Sequence, residues 1–427
     1  MPENRLARLW NALKIAVLIL LTGILFAGAN LQTSDPADAI RKYTRSIEFD
    51  FVNWTEKALF IKNQTIALGL DRYLPEEQGQ AVLGDYFQQV DDINVLRSEI
   101  NTIYADPNIR DPENQAAGKA AQLSTLEKEN EILAALSESV LQQQVSTVAA
   151  DLGLAAGGQL IPPLLYRMTP LPLALIISPR DIIRQDADIS LTADLSVEKM
   201  VELEQQIEQN ENVSALVVNI GGVGIYPTMV LRTTNLSWMI ETIAHEWVHN
   251  FLTLRPMGML YMHTPQLRTM NETTASLAGR EIAIEVYKRW YPQFVPVETP
   301  PSQQTSPEQP VAPEEPPPFD FNNEMHETRI TVDEMLANGK IEEAEEYMEA
   351  RRLFFWENGY QLRRINQAYF AFYGAYADQP GGQAGEDPVG PAVRKLRQQS
   401  DSLAQFLNRI SWMTSFDRLL EQVSGAQ

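Results

Sequence analysis

The chain has 427 residues, 44% of them hydrophobic, which is enough to bury a sizeable core in one large domain or in two to three ordinary ones. Its formal charge of −22 would repel nucleic acid and anionic membrane surfaces, so neither is expected as the main partner. With no cysteine, the chain cannot use disulfides, thiol catalysis or Cys-ligated zinc.

In chain order, Arg5, Arg8 and Lys14 precede an uncharged apolar run from Ile15 to Ala29. Residues 1–30 therefore read as a signal anchor, a single transmembrane helix near the lower length limit for a span. Basic residues ahead of the run place the N-terminus in the cytoplasm and the rest of the chain outside. Ala27-Gly28-Ala29 fits a small-x-small cleavage site, so a cleaved, secreted form is the alternative. No later segment qualifies as a second span: residues 160–178 are broken by four prolines and Arg167.

Residues 35–155 read as a helical region, a spacer or a subdomain packed on the later part of the chain. Ile40, Tyr43, Ile47, Phe51, Trp54 and Ala58 recur near helical spacing, and STLEKENEILAALSESVLQQQVSTVAADLGL (124–154) ends at AAGG, a helix stop. ADPNIRDPENQ (105–115) has turn chemistry and no apolar period, so it is a loop.

Over 160–290 the pattern changes. PLALIISP (172–179) and SALVVNI (214–220) are strand candidates with VEKMVELEQQIEQ (197–209) as a helix between them. IYPTMVLRT (225–233) is a third strand, placed at a sheet edge by Pro227. Trp238 to Leu252 form a helix capped by Asn235 or Ser237, and MNETTASLAGREIAIEVYKRW (270–290) a second, with Asn271-Glu272 at its start. Residues 291–323 carry ten prolines and little to bury, so they read as a disordered or polyproline-like insertion. Beyond it, 324–427 is helical, with a turn at Asn338-Gly339, an exposed acidic face over 342–350, a loop at 381–390 and one final helix. The expected fold class is α+β, mostly helical, with an active-site helix packed on a small mixed sheet. No sequence feature sets an oligomeric state.

HEWVHN (245–250) holds two of the four histidines. On a helix, His245 and His249 stack one turn apart on one face, the spacing at which two imidazoles can hold one zinc ion. Glu246, offset by about 100°, reaches a metal-bound water without ligating the metal, and would take its proton and pass it to a leaving amine. A third ligand is needed. The extended motif with Gly and His three and six residues on is absent, since Leu252 and Arg255 stand there. Glu272, 23 residues after His249, can supply a carboxylate from the second helix; Glu281 and Glu285 lie deeper in it. His263 reads as a loop residue at most at the rim of the cleft, and His326 as a solvated one.

H-E-x-x-H followed some twenty residues later by Asn-Glu on a second helix resembles the gluzincin zinc metallopeptidases. More narrowly, NETTASLAG and NQAYFAFYGAY resemble a family of bacterial aminopeptidases, many of them membrane-anchored. The resemblance covers at most residues 225–400. It implies a zinc peptidase acting on peptide or protein substrates, with His245, His249 and Glu272 as metal ligands, Glu246 as general base and Asn366, Ala368 and Tyr376 at the later positions. Tyr376 is then the candidate transition-state hydrogen-bond donor, with Tyr360, Tyr369 and Tyr373 as alternatives. Departures are Thr274 in place of an aromatic, Ser276 in place of an aspartate, and no Gly-x-Met-Glu-Asn exopeptidase motif. GGVGIYPT (221–228), in a comparable position, has no carboxylate to hold a free amino terminus, so exo- and endopeptidase action both stay open. From a different class, a membrane-anchored binding protein keeping this fold without turnover is the alternative.

Overall fold

The computed structural model describes residues 36–67, 76–105, 111–296, 319–375, 385 and 387–425. The expected anchor at 1–30, most of the proline-rich stretch, half of the 381–390 loop and Tyr376 lie outside the described residues. Among the described residues, no helix is long and apolar enough to cross a membrane.

The helical region consists of α1 (Pro36–Thr44), α2 (Phe51–Ala67), α3 (Glu76–Ala105) and α4 (Pro112–Ala149). Leu83, Tyr86 and Val90 of α3 share a core with Ala134, Leu141, Val145 and Val148 of α4, so these long helices pair along their apolar stripes. Asp111 caps α4 by accepting from the Asn114 amide, and Gly153, at φ 82°, turns the chain out of the π-helical turn after it. Gly157 and Gly158, both at positive φ, then close a two-residue hairpin between β1 (Ala155–Ala156) and β2 (Gln159–Leu160). The helical spacing read from Ile40 to Ala58 is interrupted at 47–49. There the backbone leaves the helix to pair with a sheet: the Phe49 amide donates to Ser190 O (2.9 Å) and the Thr192 amide to Ile47 O (2.8 Å).

Two three-stranded sheets come next. The remaining strands are β3 (Tyr166–Thr169), β4 (Leu173–Pro179), β5 (Ala187–Leu191), β6 (Val213–Asn219), β7 (Gly222–Val223) and β8 (Thr228–Leu231). The antiparallel sheet has the order β5-β4-β6; the mixed sheet has β3-β8-β7, with β3 parallel and β7 antiparallel to β8. Alternation in the antiparallel sheet is strict: Leu173, Leu175 and Ile177 face one core with Ile40 and α5 (Val197–Glu211), whereas Ala174 and Ile176 face another. Pro227 lies just ahead of β8 and so takes nothing from the ladder. Contrary to the edge placement expected from it, β8 is the central strand.

The metal-motif helix α6 (Leu236–Thr253) and α8 (Pro265–Trp290), joined through the short α7 (Pro256–Met259), lie at the centre of the largest core. The helix α8 starts at Pro265 under a Thr264 cap, so Asn271-Glu272 sit in its second turn rather than at its start. Tyr291 to Pro296 and Phe319 to Asn323, placed in the insertion by sequence, are described: Tyr291 is buried, and Phe319 and Phe321 pack on Phe355. After α9 (Phe321–Ala337) and α10 (Ile341–Glu357), α11 (Gln367–Tyr373) packs on the antiparallel sheet. The expected single C-terminal helix is three: α12 (Val389–Gln398), α13 (Leu403–Ile410) and α14 (Phe416–Ser424). Ser402 and Ser415 cap the last two, competing with helix continuation as their hydroxyls favour.

Candidate metal centre

Helix α6 begins at Asn235, whose side chain accepts from the Trp238 amide, and its apolar positions bury Met239, Ile243, Trp247 and Val248. Trp247 Nε1 donates to Pro162 O (2.9 Å) and Asn250 Nδ2 to Thr228 Oγ1 (2.8 Å), which fixes the helix rotation against the mixed sheet. This rotation turns His245, Glu246 and His249 into a cavity of about 410 Å³. Gly279 of α8 lets the two helices approach closely, since a Cβ there would fall 2.8 Å from the His245 nitrogen. That approach brings Glu272 across to the two histidines.

The three donors converge. His245 Nε2 and His249 Nε2 are 3.0 Å apart, and Glu272 Oε2 lies 3.6 Å from the first and 3.4 Å from the second. Around a tetrahedral zinc with bonds of about 2.0–2.2 Å, neighbouring donors stand roughly 3.3–3.6 Å apart, so both edges to Glu272 match such an ion and the histidine edge is a little shorter. Glu272 Oε2 is buried and accepts no hydrogen bond, an arrangement that proteins avoid unless something else satisfies the oxygen. Glu281 and Glu285, the competing carboxylates, are engaged by Arg397 and Lys288.

Two neighbours prepare the ligands. Asn271 Oδ1 lies 2.7 Å from His249 Nδ1; an Nδ1–H donating to it leaves the Nε2 lone pair facing the centre. Tyr261, in the turn between α7 and α8, donates its hydroxyl to Glu272 Oε1 and so turns Oε2 inward. Burial and the Glu272 charge push the Tyr261 phenol well above its usual range, keeping it a donor. For Glu272, burial alone would raise the carboxyl, but the two imidazoles outweigh this and hold it well below the usual carboxylate range. For His249, burial opposes the imidazolium, while Glu272, Glu246 and Asn271 outweigh it and carry the group up to about 9. Negative potential is thus concentrated where the three donors meet. Glu246 is buried beside them, and desolvation raises its carboxyl above the ordinary value against the pull of both imidazoles. A carboxyl so raised is a better proton acceptor near neutrality.

The segment GGVG closes over this helix. A Cβ on Gly222 would stand 2.6 Å from Glu246 Cγ, one on Gly221 2.7 Å from Trp238 Cζ2, and one on Gly224 3.0 Å from His249 Cβ. The glycines are needed so that backbone can lie against the site. β8 is hydrogen-bonded on both sides, and the strand with a free edge beside the cavity is β7.

Other sequence candidates are elsewhere. Asn366 caps α11 and donates to Ala215 O (3.0 Å), and Ala368 is buried against the sheet, so both serve docking rather than the centre. Tyr360 stacks on Phe319 and Phe321, and Tyr369 and Tyr373 pack in the same core. Among the described residues, the tyrosine at the candidate metal centre is Tyr261, which sequence reasoning missed because it lies in an aperiodic loop. Thr274 bonds its own helix at Met270 O. His263 is exposed and lines the adjoining cavity, whereas His326 is half-buried rather than solvated, its Nδ1 shielded without a partner. Searches of protein-family models, of curated proteins and of solved structures gave no match to this chain.

Proposed function

We propose that the protein is a zinc-dependent peptidase held at a membrane by its N-terminal segment, with its catalytic part on the outer side. The observation that carries this reading is the convergence of His245 Nε2, His249 Nε2 and Glu272 Oε2 to a triangle of zinc dimensions, with Glu246 beside it in the same cavity. A zinc ion so held would acidify water and polarise a carbonyl oxygen. Glu246 takes the proton from the attacking water and delivers it to the leaving nitrogen, a task suited to a carboxyl raised by burial. Asn271 and Tyr261 keep the ligands aimed. The free edge of Gly222–Val223 offers backbone groups to an extended peptide, by the strand addition that peptide-binding sites commonly use. The resemblance of HEWVHN and NETTASLAG to gluzincins supports the same assignment.

The test is metal analysis of gently purified protein together with peptide-library cleavage by wild type and Glu246→Gln in one run. About one zinc per chain and cleavage lost in the variant are expected. Cleavage equal in both proteins, or a protein that holds no zinc, would remove the peptidase assignment. Zinc retained without turnover would leave a binding protein.

A further inference from the structure

The cavity of the metal ligands adjoins a second one of about 800 Å³, and the two share Asp188 of β5, Tyr261 and Arg268. The chain around α7 forms a rim to both. Thr253, Gly258 and Tyr261 border the first cavity, and Met262 and His263 the second. A distant segment joins this rim. The Met257 amide donates to Ser411 O at 3.1 Å, which sets the turn between α13 and α14 beside α7, and Phe416 lines the second cavity with Met262.

The rim is apolar. Leu254, Met259, Met262 and Trp412 are each more than half exposed. Met259 and Met262, three residues apart over consecutive turns, lie on one side. Scattered exposed hydrophobics need no explanation, but four at the mouth of one cleft do. The rim is also free of acid. The chain carries 56 Asp and Glu against 34 Lys and Arg, yet residues 247–271 and 402–416 contain no carboxylate and bring Arg255, Arg268 and Arg409. Arg255 donates to Phe251 O and lies over the Phe251 ring, and Arg409 donates to Gln399 O; among the described residues neither makes an ion pair. The carboxylates lining the second cavity are engaged or deep. Asp186 takes Arg184, and Asp387 accepts the Val389 and Gly390 amides. Asp188 stands far inside the cleft, where desolvation raises its carboxyl to about 6 against the pull of Arg268.

We infer that this rim is the face that rests on a lipid bilayer with anionic headgroups, so that the metal cleft opens at the membrane surface onto peptide segments lying close to it. This rests on the membrane-held peptidase reading above and deepens it. A chain of charge −22 is repelled by such a surface everywhere except at a face without carboxylates. Arg255 and Arg409 answer the headgroup charge. Trp412 suits the boundary itself, with an apolar ring and a polar N–H, and the unbranched methionines fit an irregular acyl surface. The N-terminal anchor keeps that surface within reach.

The chain has no cysteine, so Met259→Cys, Trp412→Cys and, as a control, Leu353→Cys on α10 each take one fluorescent label. The full chain is reconstituted in vesicles of phosphatidylcholine and phosphatidylglycerol that carry a spin-labelled quencher lipid. Labels at 259 and 412 are expected to lose most of their fluorescence, and the label at 353 to keep most of its own. A chain that floats with the vesicles while all three labels stay equally bright overturns the face and keeps the anchor. A chain that stays off the vesicles overturns both. The same quenching pattern in Leu20→Arg, which breaks the apolar run, keeps the face and removes the anchor. A Trp412→Cys protein that forms a disulfide-linked dimer instead of being quenched assigns the face to a second copy and overturns the proposal. The substrate class is read with two acylated peptides that carry one cleavage site beside the bilayer or beyond a long flexible linker. Wild type is expected to favour the near site by about tenfold in kcat/KM, and the Met259→Ser, Trp412→Ser double variant to lose that preference. An equal preference in both proteins overturns the substrate class. Cleavage of neither peptide removes the peptidase, and the quenching pattern, which needs no turnover, still decides the face.

Discussion

Among the described residues, Glu138, Glu204 and Glu272 are carboxylates buried within clusters of basic groups, and the surroundings of Glu138 and Glu272 differ in one respect. Glu138, on α4, is fully buried and saturated. It accepts from Lys62 Nζ at 2.7 Å, from Arg167 at 3.3 Å and from the Met168 amide at 2.8 Å, joining α2, α4 and β3. Glu272, on α8, is as deeply buried, yet one oxygen takes Tyr261 and the other accepts no hydrogen bond. A buried ion cluster that satisfies itself is structural, since removing one partner leaves an uncompensated buried charge. One that leaves an acceptor unsatisfied beside a cavity is built for a ligand. The presence of buried charge does not separate the two; the count of satisfied lone pairs does.

The sharpest way to separate the clusters is to disable each. Glu246→Gln should lower kcat on the best peptide by on the order of a thousandfold while metal content, read by elemental analysis, stays at wild-type level. Lys62→Met should do the reverse. Leaving Glu138 buried without its ammonium should cost about 3–5 kcal/mol in denaturant unfolding, with the metal still bound. A Lys62→Met protein of unchanged stability would break the comparison. Asn271→Ala, which frees the His249 ring, should weaken zinc binding by roughly tenfold to a hundredfold in a chelator competition. The smallest effect concerns Asp188. Its folded carboxyl is raised to about 6, above the unfolded value of about 4, so the protonated form favours the fold. That stability is present below pH 4 and lost as pH rises through 6. Asp188→Asn should therefore melt a little higher than wild type at pH 7, with the difference fading toward pH 4.

The same contrast explains what could be read from the sequence. HEWVHN declared itself because a helical period alone puts His245 and His249 on one face, and Glu272 followed from a carboxylate within reach of a returning chain. The apolar runs of β4 and β6 and the turn at Asn338-Gly339 were equally local signals. Tyr261 was not legible, because its hydroxyl reaches Glu272 only through the path of an aperiodic loop. Asp188 was hidden for another reason. ADISL alternates too briefly to announce a strand, and which of its side chains line the cavity follows from its register with β4. Nothing local in the sequence assigned a role to the glycines of GGVG. Their requirement is steric and exists only once Trp238, Glu246 and His249 lie beneath them.

Gly279 sets more than a close helix contact. The histidines and Glu272 belong to different helices, so the edges of the donor triangle that join them are fixed by the gap between α6 and α8, and that gap is closed at the His245 backbone. The residue works as a gauge of ionic radius, placed two turns away from the carboxylate it calibrates. One methyl group there would prise the helices apart and enlarge the triangle. The enlarged triangle would suit a bigger, oxygen-seeking cation such as calcium better than zinc. If the centre holds zinc as proposed, the choice of ion is then written partly in a residue that can never touch it.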